Sequence, residues 1–306
     1  MWAKKTRRRK RWLRFVKALG NTPIDELKYK DIRFFLTSLK ENSQSMIGKI
    51  YDLLKGSLNY AVANRILDTS PMGDLKEPTS NKKKKEKEVF ELPELRTILE
   101  YAKNYKYPDV FYYLVLLLYT GIRRGEASSL QWTDIDHEKR LVDISRSASL
   151  EFEGETFYEK VPQKMVNSDP KTESSIREIA IASDLFFDLM NEWHECCKTV
   201  HKKTMGRFIF PADRGEQITP GGLGQRVTDF VAYYNLGDMK ALTSHIMRHS
   251  IATLNYDTTT DELAVGRMLG HSNKNVTEHY IHSSLESKRD AITEAHMKLD
   301  EILRSL

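Results

Sequence analysis

The sequence predicts a mainly α-helical protein with a small antiparallel β-sheet, divided into two domains. Apolar residues recur at helical spacing in most segments, and the longest apolar stretch, Val110 to Tyr119, is too short to cross a bilayer and suits a buried helix. Residues 141–181 instead alternate and turn often, as hairpins do. Residues 81–88, NKKKKEKE, contain no apolar side chain, so they cannot pack into a core and separate the two parts.

The amino-terminal part is expected to be a small helical bundle. A basic helix in KKTRRRKRWLRFVKALG has apolar positions that include Trp12 and Leu19, and it ends at Gly20. Two more helices follow in LKYKDIRFFLTSLK and SQSMIGKIYDLLKGSLNYAVANRIL, because their apolar residues recur at helical spacing. The second of these stops before Pro71, since a proline disfavours helical geometry in the residue before it.

Positive charge is concentrated in the same part of the chain. Residues 1–88 contain 22 Lys and Arg against 10 Asp and Glu, whereas residues 89–306 contain 26 against 33, within an overall net charge of +5. We therefore expect the amino-terminal part to provide most of the charge that binds a polyanion. Because acidic residues outnumber basic ones in the remainder of the chain, any positive charge that it presents to a polyanion must be clustered at particular sites.

The second part begins with a capped helix in FELPELRTILEYAKN and continues with the buried helix, which ends at Gly121. WTDIDHEKRLVDIS indicates the first strand of the sheet, and the last turn of the sheet, NSDPKTESS, presents Lys171. Thr219 followed by Pro220 predicts the N-cap and first turn of another helix. The glycines after them resemble a phosphate-binding loop, but the helix start explains them better.

Composition bounds the class of protein. The 306 residues are 40% hydrophobic, which fits two soluble domains, and we expect neither a signal peptide nor a membrane span. The two cysteines, Cys196 and Cys197, are adjacent, so a disulfide between them would be strained, and a reducing cytoplasm is the simplest interpretation. The scattered histidines have no metal-ligand spacing, so no metal site is expected.

The most informative residues lie near the carboxyl end. HIMRH contains His245 and Arg248, which share one face of a helix because they are three residues apart. LGH adds His271, and Tyr280 follows nine residues later within HYIH. A lone HxxRH or a lone tyrosine is common on structural helices, so the rest of the chain has to provide further parts.

Two upstream motifs provide them. YTGIRRGE contains Arg123 and Glu126, and DPKTESSIREIAI contains Lys171, Ser175 and Arg177. Four separated motifs in this order are specific. Together they resemble the catalytic half of the tyrosine recombinases, the family that includes phage integrases and Xer recombinases.

The resemblance implies an architecture. Residues 1–80 would form a SAM-like helical core-binding domain, residues 81–88 a basic linker, and residues 89–306 a mixed α/β catalytic domain with a terminal helix at 285–306. The two domains of this family form a C-shaped clamp on DNA. The core-binding domain normally begins with a further helical stretch, so we expect an amino-terminally truncated chain or a short member, with an upstream arm-binding domain left open.

The resemblance also implies a catalytic set that needs no cofactor, metal ion or ATP. The set is Arg123, Lys171, His245, Arg248, His271 and the nucleophile Tyr280, with Glu126 supporting it. Arginines suit the phosphate because their planar forks stay charged and grip two oxygens. The tyrosine forms a 3′-phosphotyrosyl link, while Lys171 protonates the departing 5′-oxygen and His245 takes a proton or holds the phosphate.

The implied partner is double-stranded DNA containing recombination core sites. The expected DNA-contacting residues are Arg7, Arg8, Arg9, Arg11, Lys82, Lys83, Lys84 and Lys85. A tetramer on DNA that passes through a Holliday junction is implied, with accessory DNA-bending or directionality proteins as further partners and a nucleoid-associated location. The terminal apolar stripe, Ile292, Ala295, Leu299, Ile302 or Leu303, and Leu306, is expected to dock on a neighbouring protomer, the alternative being its own domain.

Several functions remain open at this level. The region 145–170 and the PKTESSIRE turn favour the integrase of a mobile element, and a Xer-type dimer resolvase is the close alternative. A type IB topoisomerase shares the chemistry, but the terminal stripe suggests assembly. A non-catalytic DNA-binding protein of the same fold is disfavoured by the complete residue set, and a metal nuclease would be revealed by a chelator.

Overall fold

The chain folds into two compact units in the computed structural model. The structure describes residues 18–83, 88–152, 163–168, 176–200, 206–213, 215–238, 241–258, 265–266, 268 and 285–306. The first unit contains the described residues up to 83, and the second contains those from 88 onwards. The mainly helical fold with small antiparallel sheets is confirmed.

The first unit is built on two helices, α1 (Tyr29–Ser38) and α2 (Gln44–Ala63). Their buried side chains form one apolar core together with Leu19 and Met72; these are Ile32, Phe35, Leu36, Leu39, Ile47, Ile50, Leu54 and Leu58. The segment after α2 folds back onto it, since the Tyr51 hydroxyl donates to the Leu75 carbonyl at 2.8 Å. Asn81 is still attached to this unit, because its backbone N–H donates to the Lys40 carbonyl at 2.8 Å.

The second unit contains the remaining elements. In chain order they are α3 (Leu92–Lys103), α4 (Asp109–Thr120), α5 (Arg124–Ser129), β1 (Ile135–Asp136), β2 (Leu141–Ile144), β3 (Ser147–Phe152), β4 (Gln163–Ser168), β5 (Arg177–Ala180), α6 (Asp184–Val200), α7 (Pro220–Tyr233), α8 (Ser244–Thr258) and α9 (Leu285–Arg304). Short 3₁₀ turns cover Trp132–Asp134 and Leu236–Asp238.

Helix α4 is the centre of this unit. Every one of its residues is buried, and α3, α6, α7, α8 and α9 all pack against it. Gly121 ends the helix with a left-handed φ of 57°, a conformation that glycine adopts without steric cost. Helix α7 begins as its sequence predicts, because the Thr219 hydroxyl accepts the Gly222 N–H at 2.9 Å and Pro220 fills the first turn.

The described strands form two antiparallel sheets instead of one. Strand β2 lies between β1 and β5, and β3 pairs with β4 in a separate ribbon. Strands β4 and β5 are therefore not paired with each other, so the turn NSDPKTESS does not join two strands of one ladder. Lys171 itself lies outside the described residues. The register of β2 and β5 places Arg177 opposite Ile144.

Helix α9 corrects the expectation about the terminal stripe. Ile292, Leu299 and Leu303 are buried in the apolar core of the second unit, together with Ile302, and α9 packs on α8, α3, α4 and β5. In this structure the stripe is therefore satisfied by its own unit. The sequence pattern of α9 cannot distinguish packing on its own domain from docking on a neighbouring protomer, because either would cover the same apolar face of the helix.

A polar network also holds α9 in place. The His296 ring accepts the Ala182 N–H at Nδ1, at 3.2 Å, and its Nε2 lies 3.2 Å from the Tyr119 carbonyl. Asp300, one turn later, accepts hydrogen bonds from the hydroxyls of Tyr119 and Ser183. These contacts fix His296 as the neutral tautomer with its proton on Nε2, because a protonated Nδ1 would face another donor.

Stability of the second unit should therefore depend on the protonation of His296. Burial lowers the pKa of His296 to about 4, so between pH 6.5 and 4 the unfolded chain binds a proton that the folded chain does not. Stability is lost as the pH falls through this window, by about 3 kcal/mol for a shift of this size. We expect His296→Gln to be less stable at pH 7 but to lose much less stability by pH 4, as measured by urea unfolding. His137→Gln, at an exposed site, is the control; parallel pH profiles of wild type and His296→Gln would contradict the assignment.

None of the helices in the described part of the chain is both long enough and apolar enough to span a membrane.

Candidate active site

The site is built around the junction between α4 and α5. The chain leaves α4 at Gly121, buries Ile122 completely and reaches Arg123, which is the N-cap residue of α5. The Arg123 backbone N–H donates to Glu126 Oε2 at 2.8 Å, and its Nη1 donates to Glu126 Oε1 at 2.9 Å. The Arg123 side chain keeps 40% of its surface exposed, so it can reach a ligand outside the core.

Gly125 allows α5 to approach the sheet closely. A Cβ atom at this position would lie 2.8 Å from the Ala148 carbonyl oxygen and 2.8 Å from the Ser147 hydroxyl. The Ser129 hydroxyl then donates to the Arg146 carbonyl at 2.9 Å, which joins the end of α5 to the approach to β3. A larger residue at Gly125 would therefore push the first turn of α5, and Arg123 with it, away from β3.

Glu126 lies between two arginines. Its side chain is only 3% exposed, and it accepts from Arg177 Nη2 at 3.0 Å in addition to its two bonds with Arg123. Burial raises the pKa of the Glu126 carboxyl, but the hydrogen bonds and charges of Arg177 and Arg123 outweigh burial and lower it. Glu126 is therefore ionised at neutral pH and holds its two partners in fixed places.

Arg248 comes from α8 and approaches the same junction. It is 6% exposed, and its Nη1 donates to the Gly121 carbonyl, the residue that ends α4. Burial, with the positive charges of Arg123 and Arg177, lowers the pKa of Arg248 to about 9. Keeping Arg248 charged therefore costs free energy, and a bound anion would offset that cost.

His245 lies one turn before Arg248 on the same helix. Helix α8 begins here because the Thr243 hydroxyl accepts the Ile246 N–H at 3.2 Å. Burial lowers the pKa of His245, and the charges of Arg248, Arg124 and Arg123 lower it further. His245 is consequently neutral at pH 7 and able to accept a proton.

The structure therefore brings together four of the residues that the sequence singled out: Arg123, Glu126, His245 and Arg248. Lys171, His271 and Tyr280 lie outside the described residues, as do Arg7, Arg8, Arg9, Arg11, Lys84 and Lys85. Lys82 and Lys83 are described and exposed. Arg177 was predicted only as a motif residue, and neither its contact with Glu126 nor the close approach at Gly125 was predicted from the sequence.

This arrangement suits a doubly or singly charged oxyanion. Arg123, Arg177 and Arg248 face one carboxylate, so the described part of the cluster has an excess of positive charge. Guanidinium groups bind phosphate oxygens with two parallel hydrogen bonds, and a neutral histidine beside them can move a proton. Among the described residues, no group of three or more His, Cys, Asp and Glu side chains is placed to hold a metal ion.

The chain shares its fold with solved integrases. The chain superposes on the Tn1549 transposon integrase bound to transposon right end DNA with a TM-score of 0.69, at 22% identity, covering 96% of this chain and 94% of that one. It also superposes on a lambda integrase dimer bound to a core site, with a TM-score of 0.60 at 15% identity, covering 90% of each chain.

The sequence profile of the phage integrase family matches residues 88–287, and the chain belongs to that family. Among curated relatives, a XerC-like tyrosine recombinase of Caldanaerobacter subterraneus subsp. tengcongensis is 27% identical, over 88% of this chain and 71% of the relative. The ICEBs1 integrase of Bacillus subtilis is 24% identical, over 92% of this chain and 72% of the relative. The resemblance to tyrosine recombinases inferred from the four motifs is thereby confirmed.

Proposed function

We propose that the protein is a site-specific DNA recombinase that integrates and excises a mobile element. It cuts and rejoins DNA through a 3′-phosphotyrosyl intermediate and a Holliday junction. The observation that carries this proposal is the arginine cluster at the α4–α5 junction, in a chain of the phage integrase family. The proposed partners are double-stranded DNA core sites and three further copies of the chain, with accessory DNA-bending or directionality proteins.

In the proposed mechanism the arginines neutralise the scissile phosphate. A phosphodiester resists attack because its charged oxygens repel the nucleophile, and negative charge accumulates on them in the transition state. Arg123 and Arg248 grip the non-bridging oxygens, and Glu126 holds Arg123 in place. Binding of the phosphate stabilises the charged form of Arg248, which burial and the neighbouring positive charges otherwise disfavour.

The proton transfers are assigned to His245 and Lys171, and a further hydrogen bond to the phosphate is assigned to His271. His245, kept neutral by burial and by its arginine neighbours, accepts the proton of the attacking Tyr280 hydroxyl. Lys171 gives a proton to the departing 5′-oxygen, and His271 donates a hydrogen bond to the phosphate. The phosphotyrosyl link keeps the energy of the broken bond, so a 5′-hydroxyl can reseal the strand without ATP, and no metal ion is needed.

The two units are proposed to share the binding of DNA. The helical domain at 1–80 and the linker at 81–88 supply the basic residues for backbone contacts, and the domain at 89–306 supplies the chemistry. Lys82 and Lys83 are exposed, which supports contact with phosphates. Because its proposed partner is DNA, we also propose that the protein is located on the nucleoid in the cytoplasm.

A Xer-type resolvase of chromosome or plasmid dimers is the second candidate. The observation that favours it is the set of XerC relatives at 21–27% identity, beside the ICEBs1 integrase at 24%. The chemistry is the same for both roles, so the choice between them is tested by the genes that adjoin this one. Genes of an excisable element favour the integrase, and chromosome-maintenance genes favour the resolvase.

The chemical class is tested by trapping the covalent intermediate in excess chelator. The target sequence is first obtained by selecting bound duplexes from a random pool, and a nick is then placed next to the scissile phosphate so that resealing fails. We expect a protein–DNA adduct that survives denaturing electrophoresis and forms at the same rate with and without the chelator. Cleavage that disappears with the chelator indicates a metal nuclease, and binding without any adduct indicates a non-catalytic protein.

A further inference from the structure

We propose that Arg177 is a positioning residue for DNA cleavage, which orients Arg123 through Glu126 and anchors the chain just before His271. This inference rests on the proposed function. It concerns a residue of β5 that is not among the groups assigned to the phosphate or to proton transfer. Its basis is the geometry of one buried guanidinium that joins three separate elements.

Two of its contacts are made to Glu126. Arg177 Nη2 donates to Oε2 at 3.0 Å, and Nη1 donates to Oε1 at 3.3 Å, with the two side chains only 7% and 3% exposed. The same two oxygens accept from the backbone and the side chain of Arg123. The carboxylate is therefore shared, and its position between the arginines depends on both.

The third contact is made to the segment that precedes His271. Arg177 Nε donates to the Met268 carbonyl oxygen at 2.7 Å, and the Met268 side chain is buried in the core. His271 follows three residues later in the sequence. Through this bond β5 anchors Met268, three residues before His271 in the sequence.

Only arginine can make all three bonds at once. Its planar fork presents Nη1 and Nη2 to a carboxylate while Nε points in a separate direction, whereas lysine offers one nitrogen on a flexible stem. Without Arg177 the buried Glu126 retains Arg123 as its charged partner and draws it away from the phosphate. A shift of about 1 Å in such a group costs on the order of 100-fold in rate.

The test measures single-turnover cleavage of the nicked substrate and the affinity for uncut DNA. For Arg177→Met we expect a cleavage rate lower by about 100-fold. The Kd for DNA should stay within about threefold of wild type, because most of the proposed backbone contacts are made by the basic residues of the amino-terminal part. Arg226→Met is the matched control. Arg226 also bridges two carboxylates of the second unit, Asp109 and Asp213, and should leave the cleavage rate within about threefold of wild type.

A purely structural role is separated by a double-mutant cycle. If Arg177 acts through Arg123 and the His271 segment, Arg177→Met should cost about 10-fold or less in an Arg123→Ala background, instead of about 100-fold. Loss of stability alone would slow both backgrounds by the same factor. Equal factors in the two backgrounds, or an Arg226→Met enzyme as slow as Arg177→Met, would overturn the proposal.

Two further variants guard against simple unfolding. Arg177→Lys retains the positive charge at this position. The double variant Glu126→Gln/Arg177→Met removes the carboxylate charge of Glu126, which would otherwise lose one of its two arginine partners. Both should have a urea midpoint near that of wild type and still cleave at least about 10-fold more slowly. Normal cleavage by Arg177→Lys would contradict the proposal. A wild-type protein that forms no adduct would instead refute the proposed function.

Discussion

Tyr280→Phe is expected to bind target DNA with wild-type affinity and to form no covalent adduct. The change removes one hydroxyl and little volume, so binding is preserved, but no other group of the proposed site can form the phosphotyrosyl link. The expected loss of adduct is complete within the detection limit of a denaturing gel, and an electrophoretic mobility shift measures binding. Tyr256→Phe, at a tyrosine of α8 outside the catalytic set, is the control and should give normal adduct.

A normal yield of adduct from Tyr280→Phe would remove Tyr280 as the nucleophile. Loss of DNA binding in the same variant would show that the tyrosine contributes to the fold or to the DNA interface, and the adduct result would then carry no weight. The two measurements are therefore made on the same preparation.

Lys171→Ala is expected to be slow on normal DNA and to recover much of its rate on DNA with sulfur at the 5′-bridging position. A 5′-oxygen leaves slowly unless it is protonated, whereas a thiolate leaves readily without a proton. We expect a loss of about 100- to 1,000-fold on normal DNA, in the range of general acid catalysis, with most of it recovered on the sulfur substrate.

Arg123→Ala is the matched comparison for Lys171→Ala. Sulfur substitution does not neutralise the non-bridging oxygens, so Arg123→Ala should stay slow on both substrates. Rescue of both variants to the same extent, or of neither, would mean that Lys171 holds the DNA and is not the acid.

Elements that depend on contacts within a single helix or turn could be predicted from the sequence. The continuous apolar run of α4 and the glycine that ends it are sufficient, because burial of the whole helix and a left-handed φ at Gly121 need no distant partner. Thr219 and Pro220 likewise define the start of α7 through contacts within a single turn. His245 and Arg248 share a face of α8 for the same reason.

Elements that depend on contacts between residues far apart in the sequence could not be predicted from it. Alternation predicts a strand but does not select its partner, so the pairing of β5 with β2 instead of β4 is decided by tertiary packing. The contact of Arg177 with Glu126 depends on that pairing and could not be predicted from the motif alone. For α9 a signal was present, because His296 lies within the apolar stripe, one turn after Ile292, where a buried polar partner is required.

In the proposed function this chain joins itself to DNA through Tyr280. The attachment site is identified by digesting the trapped adduct with trypsin and nuclease and analysing the modified peptide by mass spectrometry. We predict a nucleotide attached by its 3′-phosphate to Tyr280 in the peptide that contains NVTEHYIHSSLESK. A 5′-phosphate linkage, or attachment at any other residue, would contradict the assignment of Tyr280 as the nucleophile.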